Sequence, residues 1–278
     1  MAKRYIVLDQ NVMQRDELKL KELLATEPNL HFVLPDLAFL EMTKSDKWES
    51  TLSNSLSSLS GYPARIHVCY SVDEALRFEL DNLRPITGHM LYPEATAFVR
   101  DILESIHKQT SGYALDRMRA DLEKHREAVA KDYLDHPQNK QRLRELIEST
   151  KSGLPSELQK RMRSNKVDES ERLQIIHEIA VDLFPQVLAE LTGISIGRAR
   201  AFMKQKPLSL RFLFVKAWYW VYWIEKGGFD CFPEEGVTRE ETDQQYVLSA
   251  SFFHDLQSKE TRVNDAYYDL KLLLKKKV

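Results

Sequence analysis

Four acids stand at comparable places along the chain: Asp9, Glu41, Asp243 and Asp265. Asp9 follows Tyr5-Ile6-Val7-Leu8, a short apolar run that reads as a buried strand of a parallel sheet. Glu41 falls on a helix opened by Pro35-Asp36, directly after a second short run, His31-Phe32-Val33-Leu34. Proline costs nothing in a first helical turn, because that N–H has no helical partner. Thr242-Asp243 reads as the start of a late helix, and Asp265 as following a short strand, although the stretch Asp255 to Arg262 is polar for a buried one. An uncompensated carboxylate at the end of a buried strand costs several kcal/mol. In open α/β sheets, however, that end is where ligands bind. The bland reading of Asp9 is a helix N-cap or turn residue, and for the other acids a cap or a surface position.

Carboxylates converging at one sheet edge suit hard divalent cations, Mg²⁺ or Mn²⁺, which prefer oxygen ligands to His or Cys. Two such ions about 4 Å apart supply both halves of phosphodiester hydrolysis: an activated nucleophile and a stabilised leaving oxygen. Asn11, two residues past Asp9, is placed to support the first acid or to contact substrate.

The elements that must position these groups come in two styles. Up to about residue 80 the chain alternates strand and helix. Arg65-Ile66-His67-Val68-Cys69-Tyr70 reads as a third strand, and Ser71 with Glu74 as a capping box. This alternation implies a parallel sheet with helical crossovers. From 81 to 235 no convincing strand is legible, and amphipathic helices broken at Pro and Gly account for the segment. Within it, Leu210–Ile224 carries Trp218, Trp220 and Trp223. It is too short for a membrane span and reads as a buried core helix. The strand–helix style returns at 236–278. The division expected is therefore 1–80 and 236–278 as one α/β core, with 81–235 as a large all-helical insertion.

Composition narrows the classes. A formal charge of −2 over 278 residues gives no global nucleic-acid signal. Cys69 and Cys231 form no metal-ligand pattern and suit a reducing, cytoplasmic compartment. No signal-peptide core and no membrane partner are read.

Taken together, Val7-Leu8-Asp9-Gln10-Asn11, Val33-Leu34-Pro35-Asp36-Leu37-Ala38-Phe39-Leu40-Glu41, Thr242-Asp243 running to Ser249-Ala250, and Arg262-Val263-Asn264-Asp265 resemble the PIN-domain nucleases. The resemblance covers 1–80 and 236–278. In that family the third acid usually follows the third strand closely, whereas here the long helical segment intervenes. The resemblance implies a PIN-like core with a central parallel sheet flanked by helices. It further implies a metal-dependent endonuclease, with Asp9, Glu41, Asp243 and Asp265 as catalytic residues and ligands of Mg²⁺ or Mn²⁺. Single-stranded RNA is favoured over DNA because the family mostly cuts RNA. A second reading keeps the fold without catalysis, as a binding scaffold.

Two weaker signals lie in the helical segment. Arg172 and His177 resemble the R-x4-H motif of the all-helical HEPN ribonucleases, which need no metal; a polar residue usually follows that arginine, and here it is Leu173. Lys160-Arg161-Met162-Arg163 and Arg198-Ala199-Arg200 with Lys204 and Lys206 are locally basic. Arg198 and Arg200 could track a phosphate backbone, and solvated helix faces are the bland reading. A helical insertion of this length also offers a surface for a protein partner or for self-association.

Overall fold

The structure, a computed structural model, describes residues 2–86, 90–110, 112–122, 152–164, 166–227 and 234–278, with short pieces at 144–145 and 148–149. Cys231 and the stretch 123–143, read above as part of the helical segment, lie outside the described residues.

The chain is α/β. Its sheet has strands β1 (Arg4–Leu8), β2 (Leu30–Leu34), β3 (Ile66–Val68) and β4 (Asp255–Gln257), in the order β3-β2-β1-β4 and all parallel. Every residue of β2 is buried, which is why it reads as a continuous apolar run rather than an alternating one. The order runs outward from β1 through β2 to β3 and then returns to the far side of β1. That makes the β1/β4 boundary the topological switch point of the sheet.

Two compact units are distinguishable. The first comprises 1–75, 88–133 and 245–267; the second comprises 76–87, 134–244 and 268–278. The helices Val72–Asn82, Glu234–Ala250 and Thr261–Leu273 carry the chain from one unit to the other. The helix Pro93–Lys108, which falls within the segment 81–235, clusters with the sheet. No strand interrupts the described part of 81–235, apart from an isolated antiparallel bridge between Cys69 and Leu91.

Two readings of the C-terminal part are corrected. Thr261–Asn264, directly before Asp265, is helical, and the strand occupies Asp255–Gln257, the first residues of the polar stretch Asp255 to Arg262. Only Leu256 of β4 is buried, and β4 touches a single neighbour at the sheet edge, where polar residues are tolerated. Asp243 does not start a helix: the helix runs from Glu234, and Asp243 lies in its interior. Thr242-Asp243 imitates an N-cap, but the upstream Glu-rich residues favour an early helical turn and carry the helix through.

In the second unit, Leu208–Glu225 has the tryptophan-rich core character expected. Trp218, Trp220 and Trp223 are buried, and the helix packs against Glu169–Thr192. Its first turn is held by Glu79, a fully buried carboxylate that accepts from the amides of Leu208 (2.8 Å) and Ser209 (2.7 Å) and from the Ser209 hydroxyl (2.6 Å). Free amides and a positive dipole end make a helix start a natural place for a carboxylate. Among the described residues no single helix is long and apolar enough to cross a membrane.

Candidate active site

The site is built at the switch point, where β1 and β4 end side by side. Asp9 is 4% exposed and leaves β1 with its amide donating to the Gln257 carbonyl of β4 (3.0 Å). Its side chain is an N-cap, as the bland reading held: Oδ1 accepts from the Asn11 amide (3.2 Å), starting the helix Gln10–Arg15. The other oxygen does something a cap does not require. Oδ2 accepts from the Ser258 hydroxyl across 2.5 Å, and Ser258 Oγ in turn accepts from the Glu260 amide (3.0 Å).

The loop after β4 is thereby fixed against the end of β1. Asn11 takes part: its side-chain oxygen accepts from the Lys259 amide (3.1 Å), so it positions this loop. The Lys259 ammonium lies 2.5 Å from Asp16, and the Asn264 side chain donates to the Ser258 carbonyl (2.9 Å).

Glu41 stands on the helix Asp36–Thr43, whose N-cap position is Pro35 with extended backbone. Its carboxylate accepts from the hydroxyl of Tyr246 (2.6 Å), a fully buried residue near the end of Glu234–Ala250. Burial pushes the Glu41 carboxyl above its usual range; the Tyr246 hydrogen bond opposes this, and the Asp9 charge adds to it. Asp9 is likewise pushed up by burial, with its Ser258 and Asn11 bonds opposing and Glu260 adding repulsion. Burial and the charges of Glu41 and Asp9 push the Tyr246 hydroxyl well above the ordinary phenol range. Asp9, Glu41 and Tyr246 therefore share one electrostatic neighbourhood, in which negative charge exceeds its compensation.

The same sheet edge carries a further acid. Asp36, at the exit of β2, is pushed up to about 6, first by burial and then by repulsion from Glu74 and Asp73 beyond β3. Burial and the Asp36 charge push the Cys69 thiol up to about 12, which leaves it an unreactive thiol at neutral pH.

Of the sequence-derived acids, the structure brings Asp9 and Glu41 together. Asp243 is 8% exposed and stands three residues before Tyr246, on the same side of its helix. Asp265 is exposed on the helix Thr261–Leu273, and the acid that acts on Asp9 from this part of the chain is Glu260. Sequence reasoning missed Ser258, Glu260 and the Tyr246 hydroxyl. An acid shortly after a short Asp-Leu-Gln strand was the one signal available, and it required placing β4 correctly. Arg198 and Arg200 are exposed on the helix Ile196–Met203. Among the described residues, no group of three or more His, Cys, Asp or Glu side chains is placed to hold a metal ion.

The Arg172 and His177 pair lies on one helix, Glu169–Thr192, about 140° apart around its axis at five residues' separation. Arg172 is bound to Asp269 (2.9 Å) and Glu225 (3.2 Å) and sits 4.6 Å over the Trp218 ring. His177 stacks on Phe214 with ring centroids 5.8 Å apart, and burial lowers its pKa.

Comparison with family models, with curated proteins and with solved structures returns no match.

Proposed function

We propose that the protein is a metal-dependent endonuclease that hydrolyses phosphodiester bonds, with single-stranded RNA as the substrate class implied by the PIN-like pattern. The observation that carries this reading is the pairing of Asp9 and Glu41: a buried and a half-buried carboxylate from different elements, the Asp9 charge adding to the upward push on the Glu41 carboxyl, at the switch point of a parallel sheet.

The donor set fits Mg²⁺ or Mn²⁺, since it consists of carboxylate oxygens with hydroxyls in support and no imidazole or thiolate. Asp9 and Glu41 would hold the ion. A bound divalent cation supplies Lewis acidity to the phosphodiester and an activated water at neutral pH. The chain's own groups prepare for this. Ser258 fixes the rotation of the Asp9 carboxylate, and Tyr246 fixes that of Glu41. Supporting hydrogen bonds of this kind typically sustain metal affinity by about 10- to 100-fold. Asn11 holds the loop that carries Ser258 and Glu260 in register with Asp9.

The test is cleavage of a labelled single-stranded RNA by wild type, Asp9→Asn and His177→Ala, with Mn²⁺ and with EDTA. The reading expects metal-dependent cleavage that Asp9→Asn removes and His177→Ala spares. Cleavage that persists in EDTA and in Asp9→Asn but disappears in His177→Ala would establish the metal-independent helical ribonuclease instead. No cleavage and no metal-induced stabilisation in any variant would leave the fold as a binding scaffold.

A further inference from the structure

The second unit contains a motif that the carboxylate site does not use. The helix Glu169–Thr192 ends at Gly193, whose φ of +72° is left-handed, and its amide donates back to the Ala189 carbonyl (2.9 Å). Gly193-Ile194-Ser195 forms a three-residue turn, and Ser195 caps the next helix, Ile196–Met203, by accepting from the Arg198 amide (3.3 Å). The chain bends by 120° between the two helices. Two helices at about 90–120°, joined by a short glycine-containing turn, are the geometry of a helix-turn-helix.

The two faces of the second helix are sharply different. Ala199, Phe202 and Met203 are buried, locking it to the unit. Gly197, Arg198, Arg200, Ala201 and Lys204 are exposed, and a Cβ at Gly197 would meet nothing within 4 Å. Small residues at 197 and 201 therefore let the backbone approach a partner closely, with Arg200 and Lys204 in line beside them. From Leu191 to Ile224 the chain carries no Asp or Glu, although 42 of its 278 residues are acidic. Arg198, Arg200 and Lys204 pair with no carboxylate among the described residues. The Lys206 ammonium donates to the Leu274 carbonyl (2.5 Å), which brings exposed Lys275 and Lys277 beside the exit of the second helix.

We propose that Glu169–Thr192 and Ile196–Met203 form a helix-turn-helix that seats the second helix in the major groove of duplex DNA. The charge, the width and the surface chemistry each favour this occupant. The B-form major groove, about 12 Å wide, admits a helix, whereas the A-form groove of duplex RNA is too deep and narrow for side chains to read. Single strands are held by stacking their bases on aromatic side chains, and the exposed face of this helix has none, its one aromatic residue, Phe202, being buried. Arg198 and Arg200 reach base edges or phosphates near the start of the helix, and Lys204, Lys275 and Lys277 follow the backbone. The proposal does not depend on the nuclease reading: it concerns residues of the second unit and binding, not cleavage.

The experiment measures binding by the full chain in EDTA, so that no metal-dependent cleavage intervenes. Labelled mixed-sequence duplex DNA and single-stranded RNA of equal length are titrated by fluorescence anisotropy at several salt concentrations. Arg198→Glu/Arg200→Glu and, separately, Ala201→Glu are compared with wild type after circular dichroism and melting confirm that they fold. The duplex should bind more tightly than the RNA strand. Each variant should lose at least about 10-fold in duplex affinity, and for the arginine variant the plot of log affinity against log salt should become shallower by about one per phosphate contact removed. Absence of duplex binding, preference for the RNA strand, or duplex affinity unmoved in both folded variants overturns the proposal.

Discussion

The hydroxyl of Tyr246 donates to the Glu41 carboxylate across 2.6 Å, joining residues 205 positions apart. The bond opposes the rise that burial, and after it the Asp9 charge, impose on the Glu41 carboxyl. Tyr246→Phe keeps the ring in the core and deletes only the donor. The Glu41 carboxyl should then rise further, and Mn²⁺ affinity, measured by titration of cleavage and of melting temperature, should weaken by about 10- to 100-fold. Metal affinity unchanged in Tyr246→Phe would detach Glu41 from the metal site.

Asp9→Asn retains shape and removes charge. Cleavage should fall by at least about 100-fold, the scale of one strong electrostatic contact in an active site. Mn²⁺ should raise the melting temperature of wild type by mass action and fail to do so in the variant. An equal thermal shift in both proteins would place the bound ion elsewhere.

Acid stability should reflect two groups with opposite signs. His67, which lies 2.9 Å from His31, is lowered from 6.5 to about 4 by burial, with charge repulsion from His31, Arg100 and Lys3 adding to it. The unfolded chain takes up that proton first, so His67 lowers stability as pH falls from about 6.5 to about 4. Asp36 is raised from 3.8 to about 6, so the folded chain takes up that proton first and gains stability as pH falls through the same range. Melting temperature in EDTA across this window should therefore drop more steeply in Asp36→Asn than in wild type, and less steeply in His67→Phe. Profiles parallel to wild type would show that neither group titrates as its surroundings require.

Arg172 should matter for stability. Asp269 is 8% exposed and accepts from Arg172 (2.9 Å) and from the Trp218 indole (2.7 Å) through the same oxygen. Arg172→Leu leaves Asp269 and Glu225 without their cation and should cost about 3–5 kcal/mol in denaturant unfolding. The double variant Arg172→Leu/Asp269→Leu should recover part of that loss, because the stranded charge goes with it. A loss below 1 kcal/mol, on the order of an exposed ion pair, would mean the network is open to water.

Much of the sheet was legible because β1, β2 and β3 are short apolar runs cut off by polar or proline residues, a pattern that buried parallel strands impose. Asp9 and Glu41 were legible for the same reason, since each is defined by its distance from such a run. β4 was not: an edge strand of three residues with one buried side chain leaves almost no periodic signal. Losing β4 moved the expected last acid to Asp265 and hid Ser258 and Glu260. Tyr246 looked like a core aromatic and is one; nothing local marks which buried tyrosine has a carboxylate waiting 205 positions away. Asp243 was placed at a helix start, because a Thr-Asp pair carries the same cap chemistry whether or not a helix already runs through it.

The parallel pairing of β1 with β4 also sets a clock on synthesis. Ser258 leaves the ribosome 249 residues after Asp9. At about 5–20 residues per second, that interval is roughly 12 to 50 seconds. Throughout it Asp9 lacks its β4 neighbour, and for most of it Glu41 lacks Tyr246, so the two carboxylates wait for their hydroxyl donors until the late part of the chain has emerged.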